Sequence, residues 1–151
     1  MAHTDLAQQT LAEHKMLTLV IEGLRNTLAW KVEGTDFARK LSTLRFITES
    51  FQRHLEHVLT LEEDGGYMDL VLQASPQQGN NVTGLKQEHQ QFRKEASHIV
   101  HQFEHVSSTD GDSFARICGE LDDLLNRLDA HKKKEVKLMQ KAFAQDEGGE
   151  G

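Results

Sequence analysis

A single proline in 151 residues is the sequence feature that most constrains how this chain can fold. Proline removes a backbone donor and interrupts helices, so its near absence allows long helices to form. On both sides of Pro76, apolar residues recur every three or four positions, which is the spacing of one helix face. No segment alternates apolar and polar residues for long enough to indicate a sheet. The sequence therefore predicts an all-α protein.

Four amphipathic segments account for most of the chain. The first carries an apolar stripe that begins at Leu11. The predicted helices span about residues 4–33, 37 to the glycines at 65 and 66, 85–106 and 113–144, with a possible extra segment over 67–74. Four such helices joined by short links predict an antiparallel up-down-up-down four-helix bundle.

The links between these helices are rich in residues that favour turns. Gly34 is placed to end the first helix, and Thr35 or Asp36 can cap the second. Residues 75–84 contain one proline, two glycines and two asparagines, and they are predicted to form a loop. The bundle domain is predicted to cover residues 1–145, and the acidic, glycine-rich residues 146–151 to form a flexible tail.

The charge balance narrows the possible partners. The chain has 24 acidic and 17 basic side chains and a formal net charge of −7, which argues against binding to nucleic acid or to an anionic membrane. No apolar run approaches the roughly 18 residues of a membrane span, and the N-terminal residues do not resemble a signal peptide. Cys118 is the only cysteine, so an internal disulfide is excluded. These features predict a cytoplasmic protein.

Nine histidines are present, and three of them lie within the apolar helix faces. His14 and His89 each have apolar residues three or four positions away on both sides. His131 lies on a similar stripe, with Glu135 one turn further along the same face. Glu62 also falls on the inward face of its helix. The polar residues of these stripes are therefore predicted to meet inside the bundle.

An internal repeat connects these residues. The phrase Glu-His-x-x-Leu at residues 13–17 returns as Glu-His-x-x-Phe at residues 88–92. Two helix pairs built on one plan would bring four imidazoles and two carboxylates to a common depth. Some 40 residues after each copy come an arginine, a histidine and an acid, which are Arg53, His57 and Glu62 in one case and Arg127, His131 and Glu135 in the other.

Such a cluster favours a metal ion. A single histidine on an apolar face is more often a packed core residue than a ligand. Two buried carboxylates are different, because each costs several kcal/mol unless it is paired or coordinates a cation. Nitrogen and carboxylate ligands from facing helices suit iron or manganese, and a carboxylate can bridge two metals.

At these residues the chain resembles the hemerythrin-like, or HHE cation-binding, family. The family pattern is a histidine on the first helix, His-x-x-x-Glu on the second, a histidine on the third and His-x-x-x-Glu on the fourth. His14, His89, His131 and Glu135 match it directly. The resemblance implies two iron ions, with manganese as a possible substitute, bridged by the two carboxylates and an oxo or hydroxo group.

The second helix departs from this pattern. Four residues before Glu62 stands Val58, where the family has histidine. His57 would reach the site if a one-residue π-bulge brought it onto the face of Glu62, and His54, two turns away, is the competing candidate. The predicted metal ligands are therefore His14, His57, Glu62, His89, His131 and Glu135.

The third helix departs from the oxygen-carrying members of the family, which have two histidines four residues apart. Arg93 occupies the second of these places, and an arginine stays protonated and cannot coordinate. His101 and His105 have the same spacing but lie three turns or more further along. They are predicted to be exposed.

The resemblance implies a non-haem di-iron protein that binds or senses oxygen, iron or another small neutral molecule. Two alternatives stay open. One is an enzyme that acts on peroxide or nitric oxide at the same iron pair, and the other is a metal-free helical interaction domain. Six protein ligands for two metals leave coordination positions open, so the sequence permits either binding or turnover, with binding preferred.

Overall fold

The computed structural model describes residues 2–32 and 37–148 of the chain, and the side chains of residues 8–32 and 37–144. Within these ranges it contains no β-strand, which confirms the all-helical prediction. Four of the helices are long, as a four-helix bundle requires, while their antiparallel order stays a prediction. The helices are α1 (Ala2–Ala29), α2 (Ala38–Glu63), α3 (Tyr67–Ala74), α4 (Gly79–His105) and α5 (Gly111–Gly148), with a 3₁₀ turn at Pro76–Gln78 between α3 and α4.

The long helices form a closed ring of contacts. Helix α1 packs on α2, α2 on α4, and α4 on α5, while α5 also touches α1. The short helix α3 lies against α5 and α2. No helix in the described part of the chain is long and apolar enough to cross a membrane.

Two hydrophobic clusters fill the interior of the ring. The larger one includes the fully buried Leu24, Leu44, Phe51 and Phe103. A smaller cluster surrounds α3 and joins it to α4 and α5 through Met68, Val71, Val82, Leu85, Leu138 and Ala142. Helices α4 and α5 contribute to both clusters, and α2 contributes to the larger one and ends beside α3. The residues between the two clusters on α4 and α5 form an intermediate layer with the end of α2.

The loop predicted over residues 75–84 is wrong, because the 3₁₀ turn and the first turn of α4 occupy it. Local glycine and asparagine signals disfavour a helix only weakly, and burial of an apolar face can outweigh them. Here Val82 is buried against the smaller cluster, and the side chain of Asn81 donates to Gln78 across 2.7 Å.

Three smaller predictions also need comment. Leu11, predicted to face inward, is 56% exposed, because the described part of α1 contributes to the core only from Leu17 onward. The turn residues Gly34, Thr35 and Asp36 lie outside the described residues. Helix α5 continues to Gly148, beyond its predicted end at residue 144, while the flexible tail over 146–151 stays a prediction.

The Gly65–Gly66 turn between α2 and α3 positions the site described below. Gly65 has a φ of +74°, a conformation that favours glycine. At Gly66 a Cβ atom would lie 2.0 Å from the carbonyl oxygen of Leu61, so only glycine allows the chain to pass this close to the end of α2. The turn brings Tyr67, the first residue of α3, back towards the interior.

We expect Gly66→Ala to destabilise the protein by roughly 1–3 kcal/mol, as overpacking against a rigid backbone does. Gly84→Ala is the matched control, because Gly84 lies inside α4 with nothing within 4 Å of an added Cβ. That change should be neutral or stabilise the protein by about 0.5–1 kcal/mol. Denaturant unfolding followed by circular dichroism compares the two, and equal stabilities would contradict the steric role of Gly66.

Candidate metal centre

A polar layer lies between the two hydrophobic clusters. Helix α4 contributes His89, between Leu85 of the smaller cluster and Phe92 of the larger one. Helix α5 contributes His131 and Glu135, and α2 contributes Glu62 near its end. All four side chains are buried, with exposed fractions of 0% for His89, 3% for His131, 6% for Glu135 and 4% for Glu62. The inward placement of these residues, predicted from helical spacing, is confirmed.

Three of these side chains bring their ligand atoms together. One ligand atom each of His89, His131 and Glu135 lie within 4.8 Å of one another. The Nε2 atoms of the two imidazoles are 3.0 Å apart, and His131 Nε2 is 3.5 Å from Glu135 Oε1. This group could hold a metal ion.

The imidazole geometry fits a shared metal. The two Nε2 atoms are 3.0 Å apart, close enough to share a hydrogen bond, and the same closeness would let both coordinate one metal ion. The buried Nδ1 of His131 has no hydrogen-bond partner among the described residues, and Glu88 lies 3.6 Å away, too far for such a bond. If Nε2 of His131 coordinated a metal, its Nδ1 would carry the proton, with the Glu88 carboxylate 3.6 Å away.

Glu62 and Glu135 place two carboxyl groups side by side. Burial, and then the hydrogen bond with Glu135 and the charge of that group, raise the pKa of Glu62 to about 11. Tyr67 donates a hydrogen bond to Oε2 of Glu135, and burial together with the Glu135 charge raises the pKa of Tyr67. Two neighbouring carboxyl groups in an apolar layer need either a shared proton or a cation.

Glu63 contacts the candidate site and was missed by sequence reasoning. Its Oε2 lies 2.9 Å from His89 Nδ1 and 2.8 Å from Nη2 of Arg93, whose Nη1 is 3.3 Å from the other oxygen. Burial by itself raises the pKa of Glu63, but the hydrogen bonds from Arg93 and His89 outweigh it and lower that pKa. An ionised Glu63 accepts the Nδ1 proton of His89, so the lone pair of His89 stays on Nε2 and faces the cluster.

Arg93 therefore has a defined place in the structure. Its guanidinium holds Glu63, and its Nε donates to Glu56 across 2.8 Å. Arg93 stands one helical turn after His89, so both side chains lie on one face of α4. This spacing was the signal in the sequence that one acidic side chain could contact both residues.

Neither His14 of α1 nor Glu62 joins the group of three ligand atoms, but both lie beside it. His14 is half-buried, and burial, with a contribution from the Lys132 ammonium, lowers its pKa. His14 lines a cavity of about 270 Å³ together with Val58, Glu62, His131, Lys132 and Glu135. Exposed side chains such as Thr18 and Glu22 also line this cavity, so it reaches the surface.

His57 does not join the cluster. The predicted π-bulge is wrong, because α2 is regular α-helix from Ala38–Glu63, and consecutive residues of such a helix point about 100° apart. The side chain of His57 is 67% exposed, with Nδ1 3.7 Å from Glu13. His54 is also turned to Glu13, at 3.2 Å. Val58, buried and 3% exposed, takes the inward position instead.

The remaining histidines of the described chain lie elsewhere. His98, His101 and His105 are exposed, as predicted for the last two. The rings of His101 and His105 are tilted by 35° to each other with centroids 4.1 Å apart near the end of α4, beside Glu104. The side chain of His3 lies outside the described residues.

A helical fold with a buried histidine and carboxylate cluster defines a metal-binding protein of the four-helix type. The chain matches the family described as Hemerythrin HHE cation binding domain over residues 5–143. It belongs to this family, which confirms the resemblance seen in the sequence. No curated protein and no solved structure matches the chain significantly.

Loss of the Glu63 charge should weaken metal binding through His89. We expect Glu63→Gln to lower metal affinity by about 10- to 100-fold, the usual effect of removing a residue that orients a ligand. Glu56→Gln is the matched control, because Glu56 also accepts from Arg93 but is 53% exposed and has no recorded contact with His89. Metal titration of both variants provides the measurement, and equal affinities would contradict the role assigned to Glu63.

Proposed function

We propose that this protein is a non-haem iron protein whose bundle core holds a pair of iron ions and binds or senses oxygen, iron or another small neutral molecule. The observation that carries the proposal is the convergence of His89, His131 and Glu135, three buried residues whose ligand atoms lie within 4.8 Å of one another. Membership of a cation-binding family supports it independently.

Five side chains would hold the metals. Imidazole nitrogen and carboxylate oxygen together suit iron, and manganese is a possible substitute. Glu62 and Glu135 come from different helices and adjoin each other, as a bridging pair must. In this proposal the ligands are His14, Glu62, His89, His131 and Glu135, which omits His57 from the set predicted by sequence.

The surrounding residues prepare these ligands. Glu63 holds His89 in the tautomer that presents Nε2, and Tyr67 donates to one oxygen of Glu135, which leaves Oε1 facing His131. Bound iron would supply electron transfer and open coordination positions. Apolar side chains such as Leu17, Ile21 and Leu128 line the adjacent cavity.

The cavity suits small neutral molecules better than anions. Its volume of about 270 Å³ admits a diatomic molecule or peroxide. Two carboxyl groups at its inner wall and a net charge of −7 disfavour anionic visitors. Peroxide or nitric oxide could enter by the same route, so a steady-state turnover assay separates binding from enzymatic activity.

A reducing, cytoplasmic setting agrees with the lone, half-buried thiol of Cys118.

The metal-free alternative is energetically less favourable. Without a cation, the layer holds two adjacent carboxyl groups in an apolar setting, and the buried Nδ1 of His131 lacks a hydrogen-bond partner among the described residues. The two carboxyl groups must then share a proton, and the unpaired Nδ1 of His131 costs about 1–3 kcal/mol. A cation would replace the shared proton and let both carboxyl groups ionise.

Metal analysis tests the proposal. We expect protein reconstituted anaerobically with excess ferrous iron to bind up to two ions per chain, and His131→Ala and Glu135→Ala each to lose most of the metal. His57→Ala and His101→Ala are the controls, because both residues are exposed and lie outside the cluster. Less than about half an ion per chain in the wild type, or equal retention in all four variants, would contradict the proposal.

A further inference from the structure

We infer that the two metal positions are unequal: a tight one at His89, His131 and Glu135, and a weak, exchangeable one at His14 and Glu62. This inference rests on the proposed function and concerns how the site is filled. Occupancy of the weak position would follow the concentration of free ferrous iron, while the tight position stays filled.

The first argument is the distribution of nitrogen ligands. The tight position has two imidazoles, both almost completely buried, with their Nε2 atoms 3.0 Å apart. At the adjacent cavity, His14 is the one imidazole among the described residues besides His131. Because metal affinity increases with the number of well-placed ligands, the His14 side is the weaker one.

The second argument is the residue that replaces the missing nitrogen. Val58 precedes Glu62 by one helical turn, just as His131 precedes Glu135 on α5. Val58 is 3% exposed and lines the cavity beside His14 and Glu62. An isopropyl group has no lone pair, so α2 provides a carboxylate but no imidazole.

Neighbouring histidines do not compensate for Val58. His57 faces solvent, and His54 is turned to Glu13 and lies two turns from Glu62. Since α2 is regular throughout, neither ring shares the inward face of Glu62 near the cavity.

Charge and access act in the same direction. Lys132 lines the cavity and lies close enough to His14 and Glu62 to affect both groups electrostatically. A positive charge there disfavours a second cation. His14 is half-buried whereas His89 is fully buried, so the weak position is also the one nearer to solvent and exchanges more readily.

Anaerobic calorimetric titration of the metal-free protein with ferrous iron tests the inference. We expect two binding steps that differ in affinity by about 10-fold or more, and about one ion per chain retained after gel filtration. His14→Ala should remove the weaker step and keep the tighter one. Val58→His should strengthen the weaker step, so that about two ions are retained.

Val136→His is the matched control for Val58→His, because Val136 is 41% exposed and follows Glu135 on α5. It adds an imidazole outside the cavity, and the weaker step should not change. Circular dichroism checks the folding of each variant, and the His14→Ala result decides the question if Val58→His does not fold.

The possible failures are distinguishable. Two equal steps in the wild type, or loss of both steps in His14→Ala, would overturn the inequality and leave the proposed function standing. A titration that saturates in a single step at one ion per chain would show that the weak position does not exist, and it would overturn the inference. No uptake of iron by the wild type would overturn the proposed function itself.

Discussion

The structure depends on one electrostatic constraint: the carboxyl groups of Glu62 and Glu135 are buried side by side between two hydrophobic clusters. In a medium of low polarity, two such groups cannot both ionise without a counter-charge. The adjoining side chains are the buried imidazoles of His89 and His131 and the half-buried Tyr67. Lys132, which also lines the cavity, is an exposed side chain. The same layer joins α2 to α5, so whatever neutralises it also stabilises the bundle. In the proposed function, metal binding and folding would thereby be coupled.

A series of charged contacts links the buried layer to residues at its edge. Arg93 holds Glu63, and Glu63 fixes the tautomer of the fully buried His89. Residues that never touch the ligand atoms thus decide where the lone pair of His89 points. Arg93 cannot be a ligand, yet it belongs to the site through this series of contacts. The guanidinium of Arg93 lies at the edge of the layer. Through Glu63 it orients the imidazole of His89, but it does not neutralise the two buried carboxyl groups.

The two halves of the internal repeat differ in the side chains that they turn inward. On α5, His131 and Glu135 are one turn apart and both face inward; on α2, the corresponding places hold Val58 and Glu62. A histidine one position earlier cannot substitute, because a regular helix rotates consecutive side chains by about 100°. The repeat therefore produces a layer in which one side is rich in nitrogen ligands and the other is poor. That imbalance lies in the chain itself and does not depend on which metal is bound.

Periodicity and composition alone determined the helical fold and the inward position of His89, His131, Glu62 and Glu135. Helix geometry explains this success, since the spacing of apolar residues fixes which side of a helix is buried. The early start of α4 was missed because local turn signals are weak compared with the burial of Val82. The predicted bulge at His57 was wrong because it required a local distortion of α2, and α2 is regular α-helix throughout. Glu63 was found only in the structure, because its importance depends on partners on α4, 26 and 30 residues away in sequence. A sequence pattern decides which side chains turn inward, but only tertiary packing decides which groups they meet there.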